Sequence, residues 1–417
     1  NNSANATTVN LALAVNNSAL AINSAAGNIT MGGPISNNNA INFSGTNSTT
    51  VSGAISGTGA INKDGNGTLT LTGSNSYNGT TTINAGVLNI RHNNALGSTA
   101  GGTIVGNATA LQLQNAITIT GEALTLAGGG IGGSTGALRS ISGNNEWAGD
   151  ITINGTLDTR LASDSGLLTI SGNIITASSK PVFQGNGNIT VSGIISGGAA
   201  VATSSSFAAT STLTLSGNNT FTGQMQINGG IVSVSSIKNF GVASGLGNGT
   251  SGIAITIGTG STNGTLLYTG AGDTSNRTIQ IGTNSATPAS TDTGSATIQN
   301  NGSGALVFNA ANFNTATNAT SGAGANRTLT LSGSNTDSNT ISGVIRDNTV
   351  SGSATGTATI GLIKSGAGTW VLSGNNTYTG ATTINAGAVN IQHANALGTT
   401  AAGTTVSSGA ALQLQGG

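Results

Sequence analysis

Apolar and polar residues alternate along short stretches of this chain. Thr68-Leu69-Thr70-Leu71, Thr118-Ile119-Thr120, Ala254-Ile255-Thr256-Ile257 and Thr328-Leu329-Thr330-Leu331 all carry a period of two. Successive side chains of a strand point to opposite faces, so the pattern predicts strands buried on one side. Such stretches of about 4–6 residues recur every 8–12 or so, separated by Gly, Asn and Ser. No stretch shows the period of 3.6 with a charged face that a surface helix needs, which predicts little or no α-helix.

The alternation is itself repeated. Lys63–Gln114 aligns with Lys364–Gln415 at an offset of 301 without a gap, and 32 of 52 positions are identical. A shorter pattern of Gly, Asn, an aromatic, Gly and Ile-Asn opens both copies. It reads Gly73-Asn75-Tyr77-Gly79-Ile83-Asn84 in the first and Gly374-Asn376-Tyr378-Gly380-Ile384-Asn385 in the last. Weaker copies lie at 142–155, with Gly143-Asn145-Trp147-Gly149, and at 213–234, with Gly217-Asn219-Phe221-Gly223. A decayed copy near Gly333-Asn335 has Asp337 where the aromatic stands elsewhere.

Regular short strands fit a sandwich, a barrel or a solenoid. Closed folds do not extend by adding copies, whereas stacked rungs do. Single Gly and Asn residues between strands suit corners with positive φ. These features predict an all-β fold, a parallel β-helix running as one continuous solenoid over 1–417. Crossovers between parallel strands are overwhelmingly right-handed, so a right-handed coil is expected. At about 20–25 residues per rung the chain would make roughly 17–20 rungs.

The run Lys63-x-Gly65-x-Gly67-Thr68-Leu69-x-Leu71-x-Gly73-x-Asn75-x-Tyr77-x-Gly79-x-Thr81-x-Ile83-x-x-Gly86-x-Leu88 resembles the autotransporter-associated β-strand repeat. That is the passenger-associated repeat of type V secreted passenger domains. Ala95-Leu96-Gly97 and Ala110-Leu111-Gln112-Leu113 fit its continuation. The resemblance is strong over 63–114 and 364–415 and weaker over 142–155 and 213–234. It implies a right-handed β-helix exported through an outer-membrane translocator barrel, which would lie elsewhere in a longer protein. The repeat marks a scaffold and its export route and carries no catalytic residue. The chain ends in mid-repeat at Leu414-Gln415-Gly416-Gly417, so a segment of something longer is expected.

Composition narrows the functional classes. Charged residues make up 5% of the 417, ten basic and ten acidic. In a stack a charge would meet its like one rung away, at about 4.8 Å, so a solenoid is expected to avoid it. No basic stripe is present to release counterions from nucleic acid. No run approaches the ~18 apolar residues of a membrane-spanning helix, so this segment is not expected to insert. There is no cysteine among 68 glycines and many Asn, Ser and Thr. A chain crossing a narrow pore unfolded would be impeded by a disulfide formed in an oxidising periplasm, which points to export.

Candidate chemistry is sparse. His92 and His393 are one position of the two long copies, with no thiol or carboxylate close in sequence, and read as turn residues. Lys63-Asp64-Gly65-Asn66-Gly67 has the look of a calcium loop, but its equivalent Lys364-Ser365-Gly366-Ala367-Gly368 loses both side-chain oxygen ligands. Gly128-x-Gly130-x-x-Gly133 matches a dinucleotide fingerprint in letters, with no helix expected after it. The densest charge runs from Arg139 to Asp164, around Trp147. Glu146, Trp147, Asp150 and Asp158 are the candidate ligand region there. Stacked rungs could pair Asp150 with Asp158 or Asp164 for sugar cleavage, or the aromatic could offer a sugar platform. Solvated loop charges with Trp147 in a packing slot are the favoured reading.

The aromatics Tyr77, Trp147, Phe221 and Tyr378 are expected to pack, with Asn75, Asn145, Asn219 and Asn376 and Gly79, Gly149, Gly223 and Gly380 as structural repeat positions. No catalytic, cofactor or metal-binding residue is assigned. The expected function is an exported bacterial cell-surface stalk or fibre, structural or adhesive and not an enzyme. Partners would be further copies of itself or surface glycans. A self-assembling filament or sheath subunit and a polysaccharide-binding or polysaccharide-cleaving β-helix are the alternatives.

Overall fold

The structure is a computed structural model that describes residues 4–282, 293–314, 317–318, 326–350 and 357–415. It is a β-solenoid of about 16 turns. Its strands pair in parallel, apart from the short antiparallel pair of Asn348–Val350 with Thr357–Ala358. The described residues contain no α-helix, only a single 3-10 turn at Ile131–Gly133. That turn falls on the glycines of the dinucleotide-like match, and no helix N-terminus follows it to receive a phosphate.

The chain forms two compact units, Asn1–Ala199 and Ala200–Gly417. In the first unit many circuits are short, as where Ile29 pairs with Thr49 and Thr68 with Val87, while Leu111 pairs with Leu138 across a longer one. One face carries nine stacked strands from Leu20–Ser24 to Ile195–Gly197. In the second unit several circuits are longer: Gly264 pairs with Ala296, and Ala296 with Leu329. These longer circuits are why the chain makes about 16 turns, fewer than its shortest repeat length implies.

Alternation along the strands becomes columns through the coil. Leu69 stacks on Leu88 and Leu111, and Leu71 on Ile90 and Leu113, all six fully buried. Burying one such side chain stabilises the fold by about 1.5–3 kcal/mol. The alternate positions carry polar side chains: Thr8, Thr30, Thr50 and Thr70 form one ladder, in register across four turns, exposed at Thr8 and Thr30, half-buried at Thr50 and buried at Thr70. Asn42 accepts a 2.8 Å bond from the side-chain amide of Asn62 on the next turn, so a polar column gains from stacking too.

Motif and face are separable in the second unit. In the copy at 213–234, Thr212–Leu215 belongs to the stack that includes Ile231–Val234 and Gly264–Tyr268. In the copy at 364–415 the matching strand, Thr369–Leu372, lies in a different stack with Asn339–Ile341 and Ala388–Ile391. The repeat therefore specifies how one turn meets the next, and the length of the preceding corners decides which face it lands on.

Candidate functional site

The repeat residues build an internal clamp. Asn75 sits 5% exposed and bonds in both directions along the stack. Its Oδ1 accepts the Ile55 N–H at 2.9 Å and its Nδ2 donates to the Ala95 carbonyl at 2.6 Å, one on the turn before and one on the turn after. Asn376 does the same, accepting from Ile345 at 2.8 Å and donating to Ala396 at 2.6 Å. Asn219 donates to the Gly245 carbonyl at 2.9 Å. One side-chain amide thus pairs backbone groups that the turns on either side leave unmatched, and a buried polar backbone group left unpaired is costly.

The acceptor on the following turn is always a short motif. It is Asn94-Ala95-Leu96-Gly97 in the first copy and Asn395-Ala396-Leu397-Gly398 in the last. In the copy at 213–234 it is Ser244-Gly245-Leu246-Gly247. The final glycine lies directly over the aromatic. Gly97 has φ +78°, and a Cβ there would come within 2.3 Å of the Tyr77 carbonyl oxygen and 3.0 Å of its ring. Gly247 over Phe221 (φ +74°) and Gly398 over Tyr378 (φ +80°) repeat the contact. Gly79, Gly149 and Gly380 likewise leave no room for a Cβ against the carbonyl of the turn before.

The four aromatics Tyr77, Trp147, Phe221 and Tyr378 are fully buried. Tyr77 shares a 2.6 Å hydroxyl bond with Thr81, and Tyr378 a 2.7 Å bond with Thr382. Phe221 has no hydroxyl, and the residue four places on is Met225. Trp147 is followed at the same spacing by Ile151. The polar partner is present where the ring carries a hydroxyl and replaced by an apolar residue where it does not. Burial pushes the Tyr378 hydroxyl up to about 12, opposed by its bond to Thr382, and raises Tyr77 in the same way.

Charge is also buried. Lys63 and Lys364 are 3% and 0% exposed. The Lys364 ammonium donates to the carbonyls of Ser365, Gly366 and Ala386 at 2.7, 2.6 and 2.9 Å. Lys63 donates to Gly65 and, at 3.0 Å, to Ala85. Each spends its donors on carbonyls of a corner, and its stacked neighbours are apolar, Phe43 and Ile83 for Lys63 and Leu331 and Ile384 for Lys364, so no like charge lies one rung away. Burial lowers both to about 8; for Lys63 the neighbouring Asp64 opposes this. Asp64 takes a 2.8 Å bond from Asn84, so the residues of the calcium-like run serve the corner. Arg277, 2% exposed, donates to the carbonyls of Lys238, Leu246 and Gly247 and lies over the Phe240 ring at 5.7 Å.

The charged region from Arg139 to Asp164 is spread along the stack. Trp147 packs inward on strand Asn145–Trp147, and Glu146 beside it accepts a 2.6 Å bond from Ser171. Asp150 accepts the Asn173 N–H at 2.9 Å. Asp158 pairs with Lys180 at 3.2 Å, and Asp164 with Arg139 at 2.7 Å. Each acid faces a partner on an adjacent turn, and stacking joins Asp150 to Asn173 instead of to Asp158 or Asp164. His92 and His393 accept the N–H of the residue two places on through Nδ1, at 3.1 and 3.0 Å. Among the described residues no group of three His, Cys, Asp or Glu could hold a metal ion.

Three segments match the Passenger-associated-transport-repeat family: 61–90, 210–234 and 362–391. The chain carries the passenger-associated transport repeat. The three matches are the three copies in which the Asn side chain reaches the turn that ends in Leu-Gly. The segment at 142–155, which lacks that turn, is outside them. Over 179 residues the chain is 35% identical to the adhesin BmaC autotransporter of Brucella suis biovar 1 (strain 1330). The aligned part covers 43% of this chain and 4% of that protein. No match was found among solved structures.

Sequence reasoning missed three things here. It did not see the Ser244–Gly247 turn, because two of its four letters differ from Asn-Ala-Leu-Gly. It did not place the lysines inside, although Lys63 and Lys364 are identical in the two long copies. It also passed over Glu122, a lone acid 3% exposed that accepts a 2.7 Å bond from Thr103. Burial raises the Glu122 carboxyl above the usual carboxylate range, and the Thr103 bond opposes the rise.

Proposed function

We propose that this chain is part of an autotransporter passenger, a β-helical stalk or fibre carried to the surface of a bacterial cell and used there for adhesion. The observation that carries the reading is the coincidence of the repeat with the clamp. The three repeat matches fall where the Asn side chain ties successive turns, so the repeat is a stacking device suited to a long, stiff coil. The 35% identity with an autotransporter adhesin supports the adhesive role. A translocator barrel would belong to the rest of the protein. The low charge and polar Thr and Asn ladders offer a long uncharged face, and no catalytic constellation enters the reading.

The test is to raise antibody against residues 1–417, probe intact and permeabilised cells, and measure adhesion with this region deleted. Surface labelling of intact cells and a loss of adhesion on deletion are expected. Labelling only after permeabilisation would overturn export. Unchanged adhesion on deletion would leave an exported spacer without an adhesive role.

A further inference from the structure

The first unit holds a cavity of about 380 Å³ between the turn that carries Asn94–Gly97 and the next turn, around 118–122. That volume is at the lower end of small-molecule sites. Glu122 lines it. Its Oε1 is held by Thr103, and among the described residues its Oε2 has no hydrogen-bond partner. Glu122 lines the cavity, so this oxygen can accept from a donor that enters there.

The rest of the lining is neutral, and much of it bears hydroxyls or amides. Thr99, Thr118 and Thr120 reach the cavity, and their hydroxyls make no bond within the described residues. Asn93 is fixed by accepting the Thr118 N–H at 3.0 Å, which leaves its amide nitrogen to point elsewhere. Asn94 is fixed by donating to Ser74 at 3.2 Å, which leaves its carbonyl oxygen. Asn93 and Asn94 are therefore set before any ligand arrives, and pre-organised groups lower the cost of binding. The floor accepts, and the rim both donates and accepts. No second charge lines the cavity, so neither an anion nor a multivalent cation is matched.

We infer that this cavity binds a single neutral sugar ring, with Glu122 Oε2 accepting from ring hydroxyls and Asn93, Asn94 and the threonines reading the others. The inference gives the adhesive reading a ligand class and rests on that reading only for its biological role. Nothing in the sequence hints at it, because Asn93, Asn94 and Thr99 lie on a different turn from Glu122.

The test titrates the whole 417-residue chain with a panel of neutral hexoses and 2-acetamido hexoses, both free and as terminal residues of immobilised oligosaccharides. Amide shifts at Asn93–Thr99 and Thr118–Glu122 are expected with at least one sugar. Glu122→Gln keeps the volume and an acceptor for Thr103 but makes the free oxygen a donor, and should weaken binding at least tenfold. Thr120→Val, at an exposed rim position, should weaken it about threefold to tenfold and serves if Glu122→Gln fails to fold. Binding of free sugar means the ring suffices, while binding only of immobilised glycan means a terminal residue is read; both support the site. No shift with any sugar, or equal binding by Glu122→Gln, overturns it. Adhesion without sugar binding overturns this site and leaves the adhesive reading. Sugar binding without adhesion does the reverse.

Discussion

The segments around Tyr77 and Trp147 share their letters and differ in their bonds. Both have Gly, Asn, an aromatic, Gly and Ile-Asn at one spacing. Asn75 ties three turns together, through Ile55 before it and Ala95 after it. Asn145 accepts from Ile117 on the turn before at 2.9 Å, then spends its amide on Ser140 and Ser142 of its own turn. The Tyr77 hydroxyl is paired, whereas the Trp147 indole nitrogen is buried without a partner among the described residues. What separates them is the Leu-Gly turn, present after Tyr77 at Leu96-Gly97 and missing after Trp147. A motif within one turn marks a place, and the clamp exists only where the following turn supplies its other half.

The sharpest way to break the contrast is to fill the space over Tyr77. Gly97→Val puts a β-branched residue at φ +78° and against the Tyr77 carbonyl. The expected loss is about 4 kcal/mol of stability, from backbone strain and overpacking together. Chemical denaturation would show it, and a change below about 1 kcal/mol would mean that the turn has freedom to move.

Next comes the amide itself. Asn75→Ala strands the Ile55 N–H and the Ala95 carbonyl, two buried groups, at about 2–5 kcal/mol. Asn145→Ala strands one inter-turn group, Ile117 N–H, and should cost about half as much. Hydrogen exchange should speed up at Ile55 in the first variant and at Ile117 in the second. Equal destabilisation by the two would remove the distinction.

Smaller still is the hydroxyl pair. Tyr77→Phe leaves the Thr81 hydroxyl without its partner, at about 1–2 kcal/mol. Adding Thr81→Met copies the Phe221 and Met225 pairing and should recover most of the loss. A double-mutant cycle reads the coupling directly, and additive effects would show that the two positions are independent.

A change of pH probes the buried lysines, which the Trp147 segment lacks. Lys63 and Lys364 are lowered to about 8 from 10.5. Between these values the unfolded chain holds protons that the folded chain has released, so stability rises with pH through that window. The buried tyrosines act in the opposite sense above about pH 10, where unfolded tyrosines ionise first. A modest rise in denaturation midpoint from about pH 7.5 to about pH 9.5 is therefore expected, and it should vanish in the Lys63→Met, Lys364→Met chain. A midpoint that stays flat in the parent chain would contradict the lowered values.

Alternation and repetition were enough to specify parallel strands stacked in a coil, because a period of two leaves each strand with one apolar face that only its neighbours can cover. The burial of Tyr77, Phe221 and Tyr378 also follows from sequence, since ring size is kept while polarity varies. Three things were decided only in the folded chain. Lys63 and Lys364 go inside because carbonyls of the next turn, Ala85 and Ala386, complete a set that the residues just after each lysine begin. The acids between Arg139 and Asp164 fail to meet because register sends each to a different partner one turn away. Glu122 faces a cavity because the Asn94–Gly97 turn overhangs the turn after it. In each case the deciding contact joins residues on successive turns. Their separation along the chain is set by corner lengths, whereas the physical contact is set by the stacking of turns.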